Sequence, residues 1–371
     1  MTVPFLDLTA PYTELKAELD AATQRVLASG RYLLGPENEA FEAEFAAYCG
    51  ARECVSVGSG LDAIVLVLRA LGIGAGDEVI VPSHTFIATW LAVAATGATP
   101  VPVEPDPLTY NVDPAALEAA VTPRTRAIVP VHLYGQPADL DAIGAVAARH
   151  GLAVVEDAAQ AHGATYKGER IGARHVAAFS FYPGKNLGAL GDGGAVVTGD
   201  ADLAAKVRLL RNYGSTVKYH HEVKGTNSRL DELQAALLRA KLAHLDEWNA
   251  RRSAVAGRYA KELAGLDDLV LPATSAWAEH VWHLYVVRTP DRAGLQDRLT
   301  AAGVHTLVHY PIAPHRSAAF GELGLATGTL PLAERFATEV LSLPMGPHLT
   351  TEQVDDVVTA VHSALAGRAA A

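Results

Sequence analysis

Residues 179–198, FSFYPGKNLGALGDGGAVVT, place one lysine in a glycine-rich turn between two runs that are typical of β-strands. Most lysines lie on polar, solvent-exposed surfaces. Lys185 instead follows the apolar and conformationally restricted stretch Ser180-Phe181-Tyr182-Pro183-Gly184. This setting suggests a chemical role for Lys185, which the neighbouring segments can support or exclude.

The segments before this turn alternate between β-rich and helical runs. The β-rich runs are residues 53–57, 78–81, 99–103, 127–132 and 152–156. Helical spacing follows the first run in SGLDAIVLVLRALG and precedes the last run in PADLDAIGAVAARHG, and a further helix is expected to begin near Ser83. The alternation predicts an α/β fold in which helices cover both faces of a mostly parallel sheet.

A second, smaller domain is expected towards the C-terminus. A long amphipathic helix is predicted over residues 229–264, where the alternation ends. Later segments such as VWHLYVVRT and TTEQVDDVVTAVHSALAG indicate a small α+β unit. We therefore assign residues 1–245 to an N-terminal arm and large α/β domain, and residues 246–371 to a linker helix and small α+β domain.

Composition and charge narrow the possible functions. Half of the 371 residues are hydrophobic and the formal net charge is −11, which argues against a general surface for nucleic acid or anionic membranes. The fifteen histidines and two cysteines, Cys49 and Cys54, show no metal-ligand spacing, so no metal is expected. The opening residues lack a signal-peptide pattern, and the apolar runs are short or interrupted, which favours a soluble, cytoplasmic protein.

Asp157 follows a predicted buried strand. Ligands of open α/β sheets bind just outside the carboxyl ends of the strands, where Asp157 is expected to lie. A carboxylate at this position either caps the next helix or contacts a ligand. The residue alone does not distinguish between these two roles.

Gly58-Ser59-Gly60 joins another strand to a helix. Backbone N–H groups and the helix dipole at such a junction attract anions, so the turn could hold a phosphate. A plain tight turn remains an equal alternative for the tripeptide alone. The turn is not the G-x-G-x-x-G fingerprint, so a dinucleotide oxidoreductase lacks support.

Phe86 follows the strand that ends near residue 81, where it could fill the core or stack on a flat ring. Together with the preceding elements it suggests pyridoxal phosphate. That cofactor needs an amine for its aldehyde, a carboxylate for its ring nitrogen, an apolar partner for its ring and a site for its phosphate. Lys185, Asp157, Phe86 and the turn at residues 58–60 supply these groups. Burial and nearby positive charge would lower the pKa of Lys185 and expose a nucleophilic amine.

Several motifs resemble the nucleotide-sugar aminotransferases of the pyridoxal-phosphate fold type I. They are VGSGLDAI, VEDAAQAHGA, FSFYPGKNLGALGDGGAVVT, RNYGS and GTNSRLDELQAALL, and the similarity extends from PFLDL near the N-terminus to LSLPMGPHLT near the C-terminus. The resemblance implies a mostly parallel seven-stranded sheet in the large domain. Within the family, the chain looks closest to the 3-aminotransferases that act on dTDP-linked 3-keto-6-deoxyhexoses in antibiotic amino-sugar biosynthesis.

The resemblance also implies roles for individual residues. Lys185 matches the lysine that binds the cofactor covalently and moves protons, and Asp157 matches the carboxylate at the pyridine nitrogen. The remaining cofactor-binding positions are Gly58, Ser59, Gly60, Phe86, Gln160, Ser180 and Asn227. Asn227 matches a residue that reaches the phosphate of the neighbouring subunit, which implies a homodimer with shared active sites.

The family reaction takes an amino group from L-glutamate, leaves 2-oxoglutarate and pyridoxamine phosphate, and then aminates the ketosugar nucleotide. Basic and aromatic side chains are expected to bind the diphosphate sugar. The candidates are Tyr182, Tyr213, Lys218, Tyr219, Arg229, His309, Tyr310 and His315. A solvated surface role is an equal alternative for Lys218.

The residues also bear on three other functions of this fold: a 4-aminotransferase, a sugar dehydratase and a non-catalytic regulator. The approach YPGKNLG to the lysine favours amination at C3 over C4, an argument from resemblance that leaves the 4-aminotransferase as the alternative. A sugar dehydratase of this family would carry histidine in place of Lys185. A non-catalytic, cofactor-binding regulator would lose the lysine or add a DNA-binding domain, and neither change is evident.

Overall fold

The structure is a computed structural model that describes residues 2–366. Its strands are β1 (Glu53–Val57), β2 (Glu78–Pro82), β3 (Thr99–Val103), β4 (Thr125–Ile128), β5 (Ala153–Asp157), β6 (Thr165–Tyr166), β7 (Glu169–Arg170), β8 (Val176–Ser180), β9 (Gly194–Thr198), β10 (Ala278–Glu279), β11 (Tyr285–Arg288) and β12 (Val340–Leu343).

Helices connect and cover these strands. They are α1 (Ala10–Glu14), α2 (Lys16–Ser29), α3 (Pro36–Cys49), α4 (Gly60–Ala70), α5 (Ala88–Ala95), α6 (Pro114–Ala120), α7 (Leu140–His150), α8 (Ala201–Arg211), α9 (Glu232–Leu242), α10 (Leu245–Glu262), α11 (Arg292–Ala301), α12 (Pro331–Glu339) and α13 (Thr351–Ala366).

Seven strands form the central sheet in the order β1-β9-β8-β5-β4-β2-β3. Strands β3, β2, β4, β5 and β8 pair in parallel. Strand β9 pairs antiparallel with both β8 and β1, so it alone among the seven runs in the opposite direction. The predicted α/β fold with a mostly parallel, seven-stranded sheet is confirmed.

Both faces of the sheet are buried. Along β8, Ala177 and Phe179 join a hydrophobic cluster that contains Phe41 and Phe45 of α3. Ala178, between them, joins a second cluster on the opposite face together with Ile64 of α4. This alternation explains the nearly continuous apolar runs that the sequence shows at the central strands.

Two predicted helices differ from the structure. The helix expected near Ser83 begins only at Ala88, because the Ser83 N–H still donates to the Val103 carbonyl at 2.8 Å and prolongs the sheet pairing. The long helix predicted over residues 229–264 is two helices, α9 and α10, separated by a turn at residues 243–244. The turn lets α9 pack against α2 and α3 while α10 leads into the C-terminal core.

The C-terminal part has its own hydrophobic core. Strands β11 and β12 form an antiparallel pair, and Tyr285 packs with Tyr259 of α10 and Val357 of α13. Val3 joins this cluster and forms a parallel bridge with Val304, so the N-terminal arm reaches across to the C-terminal part. The division of the chain at residues 245 and 246 stays a prediction, and residues 367–371 of its second unit lie outside the described residues.

Within residues 2–366, none of the helices has the length and apolar character required to span a bilayer. The same residues contain no group of three or more His, Cys, Asp or Glu side chains arranged to hold a metal ion.

Candidate active site

A cavity of about 700 Å³ opens at the carboxyl ends of the central strands. Asp157 ends β5, Ser180 ends β8, and Ser59 follows β1 by two residues. The predicted site residues that line the cavity are Ser59, Gly60, Phe86, Asp157, Gln160, Ser180, Tyr182, Lys185, His309 and Tyr310. The strand ends of the central sheet thus bring together Ser59, Asp157 and Ser180, and His309 and Tyr310 of the C-terminal part complete the wall.

Lys185 lies in the turn that follows β8. The turn is closed by a 2.9 Å hydrogen bond that the Lys185 N–H donates to the Tyr182 carbonyl. Burial of the ammonium group lowers the pKa of Lys185 to about 8, although the nearby Asp157 carboxylate opposes this change. A substantial fraction of the amine is therefore neutral and nucleophilic near physiological pH.

Asp157 is a buried carboxylate with few hydrogen-bond donors. Its Oδ2 accepts from the Thr89 hydroxyl at 2.8 Å, and its Oδ1 accepts from the Ala159 N–H at 3.2 Å. Burial raises the pKa of Asp157, whereas these two donors and the charge of Lys185 lower it. A cationic partner inside the cavity would therefore stabilise the charged carboxylate.

Ser59 and Gly60 form the beginning of α4. Ser59 caps the helix by accepting a 3.1 Å hydrogen bond at Oγ from the Asp62 N–H. A Cβ atom at position 60 would lie 2.6 Å from the Cβ of Ser180, so glycine is required for this close approach. The helix N-terminus and two hydroxyl groups together present a site suited to an anion.

Gly58 was predicted to bind the phosphate, but its N–H group is bonded within the protein. Its N–H donates to the Ser228 Oγ at 2.9 Å, and that hydroxyl donates to the Asp62 Oδ2 at 2.7 Å. The donor is thus already used within the protein, and Gly58 is not among the residues that line the cavity. Of the residues predicted to bind the phosphate, Ser59, Gly60 and Ser180 line the cavity.

Gln160 connects two aromatic residues beside the cavity. Its Oε1 accepts from the Tyr134 N–H at 2.6 Å, and its Nε2 donates to the Tyr310 hydroxyl at 2.9 Å. The ring centroids of Tyr310 and Phe86 are 5.3 Å apart. The Phe86 side chain is 51% exposed. These rings form an apolar wall that could accept a flat group.

The other predicted site residues do not line this cavity. Tyr213, Lys218, Tyr219, Asn227 and Arg229 belong to the segment between α8 and α9, where Tyr219 is 80% exposed. Within this segment, Lys218 lies over the ring of Tyr219 and Arg229 over the ring of Tyr213. None of these five residues lines the cavity of its own chain.

His315 was expected to contact substrate, but its side chain is buried away from the cavity. Its Nε2 lies 3.0 Å from the Glu334 Oε1, and Glu334 also accepts from the Gly328 N–H. The 3₁₀ turn at Pro314–Arg316 directs the ring into this local contact. His315 therefore supports the fold of residues 314–334 instead of lining the cavity.

Two residues at the site were not anticipated from the sequence: Thr89, which contacts Asp157 without lining the cavity itself, and Arg252, which lines the cavity. Thr89 becomes recognisable only through α5, which turns its hydroxyl towards Asp157. Arg252 could have been found, because it occupies the buried stripe of α10, whose other members are Leu245, Trp248, Asn249, Val255, Ala256 and Tyr259. An arginine at helical spacing with apolar residues is an unusual pattern and indicates a buried charge.

The groups around the cavity match the chemistry of pyridoxal phosphate. A neutral lysine amine can bind an aldehyde, and a buried carboxylate can pair with a protonated pyridine nitrogen. The N-terminus of α4 can accept a phosphate, and the exposed ring of Phe86 can stack on one face of an aromatic ring. The residues present therefore fit this cofactor.

Comparison with known proteins agrees with the geometry. Residues 13–362 match the sequence profile of the DegT/DnrJ/EryC1/StrS aminotransferase family. A dTDP-3-amino-3,4,6-trideoxy-alpha-D-glucose transaminase from Streptomyces venezuelae is 64% identical, over 97% of this chain and 95% of the relative.

Solved structures show the same similarity. The crystal structure of S. venezuelae DesV superposes with a TM-score of 0.97 at 63% identity, and the match covers 98% of both chains. The structure of NtdA from Bacillus subtilis, which contains the cofactor PMP, has a TM-score of 0.91 at 35% identity and covers 98% of this chain and 85% of NtdA.

Proposed function

Because this chain belongs to the DegT/DnrJ/EryC1/StrS aminotransferase family, we propose that it aminates a nucleotide-linked ketosugar at C3. The proposed substrate is a dTDP-linked 3-keto-6-deoxyhexose, and the proposed amino donor is L-glutamate, which leaves as 2-oxoglutarate. The product is the corresponding dTDP-3-amino sugar.

The similarity to a transaminase of a dTDP-3-amino sugar carries this proposal. At 64% identity over nearly the whole chain, the two proteins share their architecture, and the DesV superposition extends to 98% of both chains. The cavity at the ends of β5 and β8 supports the same chemistry through Lys185 and Asp157.

Pyridoxal phosphate is the cofactor, and when bound it withdraws electrons from the carbon that loses or gains the amine. We propose that Lys185 holds the aldehyde and moves a proton between cofactor and substrate. The pKa of about 8 supports both roles, since the amine can exist in either state near neutral pH. Asp157 holds a proton on the pyridine nitrogen.

The remaining cavity residues position the reactants. Ser59, Gly60 and Ser180 bind the phosphate group, and Phe86 with Gln160 fixes the ring. Tyr182, His309 and Tyr310 are proposed to face the sugar. Burial lowers the pKa of His309 to about 4, so its imidazole is neutral and binds by hydrogen bonding.

We propose a homodimer in which each subunit completes the site of the other. Asn227 is exposed and does not line its own cavity, as expected for a residue that acts in a partner. Tyr213, Lys218, Tyr219 and Arg229 lie in the same segment and would approach the partner's sugar site. A cytoplasmic location is also proposed, and the unpaired thiols of Cys49 and Cys54 are compatible with it.

The regiochemistry can be tested by running the reaction backwards. The enzyme would be incubated with 2-oxoglutarate and either a dTDP-3-amino or a dTDP-4-amino 6-deoxyhexose, and glutamate formation would be measured. Glutamate should form with the 3-amino sugar. A preference for the 4-amino sugar would replace the proposal with a 4-aminotransferase, the alternative that the sequence left open.

A further inference from the structure

Arg252 is a buried cation at the cavity, and it has no acidic partner within residues 2–366. Its side chain is part of the cavity wall, and the residue is 3% exposed. Its Nη1 donates to the carbonyls of Trp282 and His283 at 3.2 and 3.4 Å, and its Nε has no partner in the described part of the chain. A buried charge without a counterion is costly, so retention of this arginine calls for an anion that the protein alone does not supply.

The position of Arg252 indicates which anion it can reach. His283 Nδ1 lies 3.2 Å from the Asn186 Oδ1, and Asn186 directly follows Lys185. Asn249, one turn before Arg252 on α10, accepts a 2.9 Å hydrogen bond from the Asn186 Nδ2. These contacts place the wall formed by α10 and residues 282–283 against the turn that carries Lys185.

The carboxylates of the cavity wall form no ion pair with Arg252 among the described residues. Asp157 already pairs with Thr89 and Ala159, and Asp192, the other carboxylate of the cavity wall, is exposed and forms no ion pair with Arg252 among the described residues. Burial lowers the pKa of Arg252 to about 10, which leaves the guanidinium charged at neutral pH. Arg252 is therefore the permanent cation of this wall.

We propose that Arg252 binds the α-carboxylate of the amino-acid donor. This inference rests on the proposed function, and it adds the residue that recognises the donor. The α-carboxylate and the transferred amine are bonded to the same carbon, so the carboxylate must lie beside the Lys185 amine. A guanidinium group matches a carboxylate in charge and geometry and can bind it through two N–H groups.

The experiment measures the two half-reactions separately on holoenzyme. In Arg252→Gln, the L-glutamate concentration for half-maximal bleaching of the cofactor's visible band should rise about 10- to 100-fold, as expected for a lost hydrogen-bonded ion pair. The return reaction with the ketosugar nucleotide should keep its concentration dependence. Arg252→Lys should recover part of the donor affinity, because it retains the charge.

A neighbouring arginine provides a matched control. Arg251 is paired with Glu14 and Glu247 outside the cavity, so Arg251→Gln should leave the glutamate dependence unchanged. Binding without turnover can be followed by spectral titration with 2-methylglutamate, which lacks the α-hydrogen. This titration should show the same loss in Arg252→Gln.

The results that would contradict the role of Arg252 differ from those that would contradict the proposed function. Wild-type glutamate dependence in a folded Arg252→Gln variant would overturn the inference and leave the proposed function intact. Weaker cofactor retention or weaker ketosugar binding with unchanged glutamate binding would assign Arg252 to a phosphate and would also overturn it. If the wild-type enzyme showed no spectral change with any amino acid, the proposed function itself would fail.

Discussion

The hydroxyl of Thr89 donates a 2.8 Å hydrogen bond to the Asp157 Oδ2, and it also lies 3.0 Å from the hydroxyl of Thr85. This contact compensates in part for the burial of the carboxylate and favours its charged form. The strength of the proposed ion pair between Asp157 and the pyridinium nitrogen of the cofactor should therefore depend on Thr89.

Thr89→Val should raise the pKa of Asp157 further, because the carboxylate loses a donor to its charged form. Asp157 would then become protonated at a higher pH as the solution is acidified. The acid limb of the pH–rate profile should move to higher pH, and the cofactor should dissociate more readily at pH 6. Thr96→Val is the control, since Thr96 donates only to the Val93 carbonyl; equal shifts in both variants would contradict this role.

The lowered pKa of Lys185 predicts the pH dependence of reconstitution. Neutral amine accumulates as the pH rises through about 8, so the apoprotein should bind pyridoxal phosphate faster with rising pH and reach a plateau above this value. The rate is read from the visible band after mixing, with a free lysine derivative as reference. In Asp157→Asn the midpoint should fall, because the carboxylate that raises the pKa is removed; a rate independent of pH would exclude a titrating amine.

Lys185→Ala should abolish transamination while the protein can still hold pyridoxamine phosphate. Without the amine, neither covalent attachment of the cofactor nor proton movement at the substrate carbon is available. The test is glutamate formation with the sugar product and 2-oxoglutarate, combined with the absorbance of the purified variant. Full activity would refute the assignment.

Gly60→Ala should weaken binding of the phosphate group. The new Cβ would lie 2.6 Å from the Cβ of Ser180, so the start of α4 must move away from the end of β8. We expect loss of cofactor during dialysis and a decrease of about 1–3 kcal/mol in stability. Gly144→Ala in α7 is the control, because a Cβ there meets no atom within 4 Å; it should be neutral or stabilising.

Asn227→Ala should weaken cofactor retention through the partner subunit. When this variant is mixed with Lys185→Ala and the subunits are allowed to exchange, one site of each hybrid dimer has both an intact Lys185 and an intact Asn227. Activity at limiting cofactor should therefore exceed that of either variant alone. An absence of recovery, with exchange verified by mass spectrometry, would count against a shared site.

Most strands of the central sheet could be predicted from the sequence because each is a short apolar run bounded by turn residues. The run predicted at 127–132 is observed as β4 at Thr125–Ile128, and the two-residue strands β6, β7 and β10 were not predicted. Strand β1 at Glu53–Val57 and strand β3 at Thr99–Val103 agree residue for residue with the predicted runs. The break between α9 and α10 could not be predicted, since neither Ala243 nor His244 is a helix-stopping residue. The helix ends there because its two halves pack against different parts of the protein.

The candidate site, like the fold, could be predicted only in part from the sequence. Lys185, Asp157 and Phe86 line one cavity as predicted, because the chemistry of one cofactor requires their residue types near the ends of strands. The contact of Thr89 with Asp157 and that of Gly58 with Ser228 were not predicted, because the partner of a hydroxyl or an N–H group depends on side-chain packing. His315 was misassigned for the same reason, since Glu334 is its partner only in the folded chain.

The central claim is that the Lys185 amine carries the cofactor. Borohydride reduction of the holoenzyme, followed by proteolysis and mass spectrometry of the peptides, tests it most directly. We predict that the pyridoxyl group is found on the peptide containing Lys185. A label on a different lysine, or holoenzyme that cannot be labelled, would contradict the account.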